Sequence, residues 1–453
     1  MAFALAVLLL GAPLVLLVLR RGSVGVALLL FILYTRLSDL GVHHRSVSAV
    51  GTAGLSSVAQ VVLLVMTVLV FAGRSYQGGS RSGTARTVWT ATALYFAVVL
   101  GSSVWAVNEK AAATQGISLL KNLVIAYLIA EVLVSRRSQR LAIWSLLLAG
   151  SAMAGLTVLQ VATHTYHSSY FGFAQAPVRQ IVGKTNSYRS AGPIGDPNFY
   201  ALVLAVVVPL GLYRVRDERT LLLKQLAAGL VVLILAAIAL TYSRGGILTA
   251  VAAVVICGLF MRPRLKQIVA VLMVAGVVTL ALPHAVVSRV ATLNSKGDNS
   301  IADRLGSEKV AVEMFLDHPI QGVGANNFTD AYFPYALRLN VPGAANKPHN
   351  TYLSIAAETG LLGLVTFGGA MSALLVALWR KRAEARAAAD RVLEGIATSV
   401  FLSVCTYLIG VFFLPIAYPR YLWVVVGVAL AIASSPSTRR SPSDTTDALV
   451  VAP

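Results

Sequence analysis

Charge is scarce in this chain. Only 12% of its 453 residues are Asp, Glu, Lys or Arg, against about 25% in an ordinary soluble domain. With 57% hydrophobic residues, so little charge cannot coat a water-soluble globule of this length. A bilayer suits such a chain, because long apolar helices satisfy their own backbone groups there. Acidic residues are the scarcer sign, 18 against 37 basic ones, for a net charge of +19. In a soluble protein that surplus suggests nucleic acid. No basic, aromatic-interleaved domain is present, so nucleic acid is not an expected partner. The two cysteines, Cys257 and Cys405, lie inside apolar runs. They suggest neither a disulfide framework nor a metal site. No DxD-like pair or His-x-x-x-His is found, so neither a metal nor another cofactor is expected. No cleavable signal peptide stands out. The first run, "FALAVLLLGAPLVLLVL", is followed at once by another and is expected to stay as a helix.

What the chain has is long apolar runs. A spanning helix needs about 20 mostly apolar residues. Candidates lie at roughly 2–19, 23–40, 55–73, 88–107, 114–134, 141–162, 197–213, 223–242, 245–260, 266–283, 350–379, 395–415 and 419–434. The expected fold is all-α, a polytopic bundle of 12 or 13 transmembrane helices over residues 1–434. The remaining residues, 435–453, form a Ser/Pro-rich tail too poor in apolar groups to fold. Lys and Arg set the orientation. The basic loops "RRSQR" (136–140), "RVRDER" (214–219), "RPRLK" (262–266) and "RKRAEAR" (380–386) all fall on one side when crossings are counted. That side is expected to be the cytoplasm, with anionic membrane lipids as partners of the surplus charge.

Two long loops then face the extracytoplasmic side, at about 163–196 and 284–349. Loops beyond about 15 residues are usually functional or disordered. The second contains "NSIADRLGSEKVAVEMFLDHP", which places Ile301, Leu305, Val312 and Leu316 at helical steps. An amphipathic helix is expected there, ended by Asp317-His318-Pro319 and followed by a turn at "QGVGANNF".

The charged and polar candidates gather on this same face. In "NSYRSAGPIGDPNFYA", Asp196 and Pro197 suit a helix start. Arg189 lies among Gly and Pro turns, where backbone amides and a guanidinium fork suit phosphate oxygens. In "TYSRGGIL", Tyr242 and Arg244 sit between two apolar helices. Arg244 either snorkels to the surface or faces inward, where Gly245 and Gly246 allow close approach to a ligand. Arg289 and Arg304 follow, and each can equally be a solvated surface charge. "KPHNTYLSIAAETGLLG" puts His349 and Asn350 at the mouth of an apolar helix. Asn350 can cap that helix. Imidazole is the usual proton acceptor near neutral pH. Several arginines with one histidine and no carboxylate cluster point to a diphosphate ligand and proton transfer.

The segments "RSAGPIGDPNFYA", "YSRGG", "DRLGSEKVAVEMFLDHPIQGVGANNF" and "HNTYLSIAAETGLLGL" together resemble the O-antigen ligase and polymerase family, over about residues 90–420. The resemblance implies a multi-pass glycosyltransferase of the GT-C type in a bacterial inner membrane, acting on the extracytoplasmic side. It implies a glycan donor on undecaprenyl diphosphate and an acceptor glycolipid or glycan. Ligases transfer to lipid A–core and polymerases to another lipid-linked repeat, as parts of lipopolysaccharide or polysaccharide synthesis. Transfer in the family is metal-independent and inverting. The family's essential loop histidine corresponds to His349. Its diphosphate-binding arginines correspond to Arg189 and Arg244, with Arg289 or Arg304 as a third. A transporter or flippase for lipid-linked oligosaccharide is the alternative from another class, and a non-catalytic assembly scaffold a third.

Overall fold

A computed structural model describes residues 22–37, 83–182, 185–261, 299–341, 347–414 and 419–436. The architecture is all-α, apart from one short hairpin. The described residues form twelve α-helices: α1 (Gly22–Thr35), α2 (Gly83–Gly101), α3 (Glu109–Val132), α4 (Arg136–Ala162), α5 (Pro197–Asp217), α6 (Leu221–Leu240), α7 (Arg244–Met261), α8 (Asn299–Asp317), α9 (Phe328–Arg338), α10 (Thr351–Ala387), α11 (Arg391–Gly410) and α12 (Pro419–Ala433). Ten of the thirteen apolar runs are found as helices. The runs at 2–19, 55–73 and 266–283, and the tail from residue 437, lie outside the described residues. Seven described helices are long and apolar enough to cross a bilayer, and α1, α7 and α12 are shorter apolar helices.

α5 is the centre of the bundle. Its apolar window is 83% buried, against 28% in α2 and α6. It packs on α4, α6, α7 and α11, which is why its sequence is apolar on every side. The outer helices show the opposite pattern. α6 and α7 leave Leu222, Val251 and Leu259 largely uncovered by protein, as lipid-facing positions allow. Polar bonds pin the helices at chosen heights. The Tyr34 hydroxyl donates to the Val203 carbonyl at 2.8 Å, and the Tyr352 hydroxyl to that of Leu408 at 2.8 Å.

The first long loop is not structureless. It contains β1 (Val178–Val182) paired antiparallel with β2 (Thr185–Tyr188). The second holds α8 and α9. The expected amphipathic helix forms, and its apolar stripe faces outward: Leu305 is 53%, and Leu316 63%, exposed. The buried face is made instead of Ser307, Val310, Ala311 and Met314. Small and flexible side chains let α8 pack closely on α10, with Phe328, Tyr332 and Ala357 completing a separate small core.

α10 is not one continuous helix. Gly360 breaks it at φ 62°, ψ −159°. The turn "HPIQGVG" enters the break. Val323 N donates to Ala357 O at 3.0 Å and Gly324 N to Glu358 O at 2.8 Å; Leu361 N donates to Pro319 O at 2.8 Å in return. These bonds satisfy the groups that a helix break exposes. A side chain at position 360 is excluded twice, since a Cβ would stand 2.3 Å from the Ile320 oxygen and φ is positive. The two segments most specific for the family resemblance are therefore one interlocked unit.

Candidate active site at one end of the bundle

The polar candidates collect at the end of the bundle that carries both long loops. Asp196 is the N-cap of α5, and its Oδ1 accepts from Asn198 N and Phe199 N, each at 2.9 Å. One turn away, Arg189 is almost wholly buried. Its Nε donates to the Thr241 carbonyl at 2.9 Å and a terminal nitrogen to Asn198 Oδ1 at 3.1 Å. Both of these acceptors are neutral. Arg189 thus staples the start of α5 to the break between α6 and α7.

That break is Thr241–Ser243. Tyr242 takes a left-handed φ of 53°, and Ser243 Oγ accepts from Gly246 N at 3.1 Å. Arg244 is the first residue of α7, half-buried and three residues from the carbonyl that Arg189 grips. Burial raises the Tyr242 hydroxyl's pKa, and nearby Tyr166 adds to that. Gly246 serves a different purpose from ligand approach. A Cβ there would lie 2.2 Å from the Ala201 Cβ, so the glycine admits α5, and Gly245 in the same way admits Phe413.

His349 stands just before α10. Asn350 is the N-cap, its Oδ1 accepting from Tyr352 N at 2.9 Å and Leu353 N at 3.2 Å. Thr351 Oγ1 anchors the same corner to the Leu414 carbonyl at 2.7 Å. The capping work falls to Asn350, so the imidazole is not consumed by it. Nδ1 of His349 is enclosed and makes no hydrogen bond among the described residues. The His349 pKa is lowered to about 4. Burial is the main cause; the Arg304 guanidinium lowers it further and the Asp196 carboxylate partly opposes this. At neutral pH the ring is therefore a neutral base.

The candidates fall into two linked groups. Arg304 and Asp196 face His349 electrostatically. Arg189, Tyr242 and Arg244 meet at the α6–α7 break, joined to the first group through Asn198 and Asp196. Arg289 lies outside the described residues. Two participants were not singled out from sequence. Asn198 holds Arg189; its one signal is its place two residues after a capping Asp. Glu358 is a carboxylate inside an apolar run, a pattern that marks function by default.

No curated protein matches the chain. Residues 229–368 match the family described as O-antigen ligase. The matched stretch holds Tyr242, Arg244, Arg304, His349 and Asn350, while Arg189 and Asp196 lie before it. With its apolar helices the chain is a multi-pass membrane protein, and its residues 229–368 are similar to the O-antigen ligase family.

Proposed function

We propose that the protein transfers a glycan from a lipid-linked diphosphate to an acceptor hydroxyl at the extracytoplasmic face of a bacterial inner membrane. The single observation that carries this reading is His349, an imidazole whose enclosed Nδ1 makes no hydrogen bond among the described residues and which feels the charges of Arg304 and Asp196. Arg189 and Arg244, with Arg304 or Arg289, hold the donor diphosphate and stabilise the charge that grows as it leaves. His349 accepts the proton of the attacking hydroxyl. Undecaprenyl diphosphate is the donor carrier that the family implies.

The low pKa of His349 fits this order of events. In the free protein burial, with the cationic Arg304 as the second influence, keeps the ring unprotonated. An anionic diphosphate beside it offsets that cation and makes the imidazole a stronger base once donor is bound. Donor binding and base activation are then one electrostatic event. The acid limb of kcat should accordingly lie at higher pH than the limb of kcat/KM, because the first reports the donor complex and the second the free enzyme.

The decisive experiment uses purified protein in detergent, where no transport across a membrane is possible. A labelled lipid diphosphate glycan is mixed with candidate hydroxyl acceptors. Transfer of label to an acceptor is the expected result. Donor binding with no transfer to any acceptor would favour a carrier for the same lipid. After gene deletion, long glycan held on the lipid carrier would indicate a ligase, and single repeat units a polymerase.

A further inference from the structure

Beside the candidate site a cleft lies among α2, α3, α10 and α12. Its chemistry is set by Tyr95, Gln115, Asn326, Lys347, Glu358 and Trp423. Glu358 is central. Its Oε2 accepts from the Asn326 backbone N–H at 2.9 Å. Its Oε1 is enclosed and has no hydrogen-bond donor among the described residues. Lys347 Nζ is 3.9 Å from that oxygen, beyond hydrogen-bonding reach, and donates instead to Asn326 Oδ1 at 2.6 Å. Asn326 holds a left-handed φ of 58°, a conformation that Asn adopts more readily than most side chains. The loop thus closes around a carboxylate oxygen with no hydrogen-bond donor among the described residues, a costly arrangement.

The surroundings decide what could supply that donor. A lipid tail has no group for Glu358, and a phosphate would be repelled by it. A sugar ring matches the polar parts: its hydroxyls donate to the carboxylate and accept from the Gln115 amide and Lys347. We propose that this cleft binds a sugar of the acceptor, one hydroxyl donating to Glu358 Oε1. The acceptor assignment rests on the transfer reading above. Arg189 and Arg244 lie at the start of α5 and at the α6–α7 break, whereas the cleft is built from α2, α3, α10 and α12. Lys347 and Ser354, on its wall, flank the corner that carries His349. An acceptor seated there reaches the base from a side the donor does not use.

The test uses the full chain in lipid nanodiscs. Methyl glycosides of glucose, galactose and N-acetylglucosamine are the probes, read by saturation-transfer NMR against empty nanodiscs. Inorganic diphosphate binding is measured in parallel. Glu358→Gln can keep the bond to Asn326 through its carbonyl oxygen and turns the cleft-facing acceptor into a donor. At least one glycoside should bind wild type, and Glu358→Gln should weaken it by about tenfold or more with diphosphate binding unchanged. Gln115→Ala gives a second variant should Glu358→Gln fail to accumulate. No glycoside bound by wild type, or equal binding by the variants, overturns the proposal. Loss of diphosphate binding in wild type would instead sink the arginine reading, and the glycoside arm would still judge the cleft. Used as an acceptor, the bound glycoside should show a raised KM in Glu358→Gln; a raised donor KM in its place overturns the acceptor assignment.

Discussion

The two ends of the bundle hold their buried arginines in different ways. At the end with the short basic loops, arginine meets carboxylate. Glu218, its side chain fully enclosed, accepts from Arg140, from Arg214 at 3.2 Å and from Trp144 Nε1 at 2.9 Å. Arg136 faces Asp390 and Arg386 faces Glu394. At the site end, Arg189 is buried just as deeply, yet the acceptors that hold it at Thr241 and Asn198 are neutral. Two carboxylates at that end accept from backbone amides, Asp196 as the cap of α5 and Glu358 from the Asn326 N–H, while on α8 and α9 Arg338 pairs with Glu313 and Asp317. An arginine closed by a carboxylate is a structural lock. Arg189 is held at Thr241 and Asn198 by neutral groups instead. Sequence alone sees only arginines in loops, and the partner decides which kind each one is.

The largest expected effect falls on the site end. His349→Ala should lower glycan transfer by about 10²–10⁴-fold, the range for loss of a general base. Membrane insertion and thermal stability should stay near wild type, because Asn350 rather than His349 caps α10. Full transfer activity in membranes supplied with lipid-linked donor would remove His349 from the mechanism.

Next come two arginines, one from each end. Arg189→Ala should weaken donor binding and cut transfer by about 10²–10³-fold, as for one lost preorganised charge contact. Arg214→Ala should leave donor affinity unchanged and instead destabilise the bundle. Removing one partner of a buried ion pair costs about 3–5 kcal/mol, and the low end applies because Arg140 and Trp144 still reach Glu218. Titration with labelled donor and thermal unfolding in detergent separate the two. If both variants lose stability and neither loses donor affinity, the contrast between the ends is false.

The helices were readable from the sequence because a bilayer demands runs of about 20 apolar residues, and ten such runs appear where expected. Their ends were partly readable too: Asp196 and Asn350 are the caps their positions suggested. What depends on distant segments was not. The run at 350–379 looks continuous, and only the turn at 318–324, inserted through backbone bonds, explains why it breaks at Gly360. Gly245 and Gly246 looked suited to a ligand, but the atoms that approach them are Phe413 and Ala201. Glu358 carried a visible signal, a charge within "AAETG". Nothing local says that it meets Asn326, or that one of its oxygens is left facing a cleft. Arg189 stood out among its turns, while Asn198 gave no sign that it would hold the guanidinium.

The smallest effects are electrostatic and have a definite sign. The folded pKa of His349 is depressed from 6.5 to about 4, so the unfolded chain binds the proton more readily. Its contribution to stability is fully present above pH 6.5 and is lost as pH falls through about 4. The same titration predicts that kcat/KM holds its value as pH drops from 7 toward 5 and falls only near pH 4. Asp196→Asn sharpens this without disturbing the fold. Asn caps a helix about as well as Asp, and its side-chain oxygen can still accept from Asn198 N and Phe199 N. The carboxylate that now favours the imidazolium is gone, however. The acid limb should therefore move to still lower pH, by less than one unit, since Asp196 is only the third influence on the ring after burial and Arg304. An NMR titration of His349 in the variant measures the shift directly. Movement to higher pH would mean that Asp196 does not face the imidazole, and the electrostatic link between the start of α5 and the mouth of α10 would be lost with it.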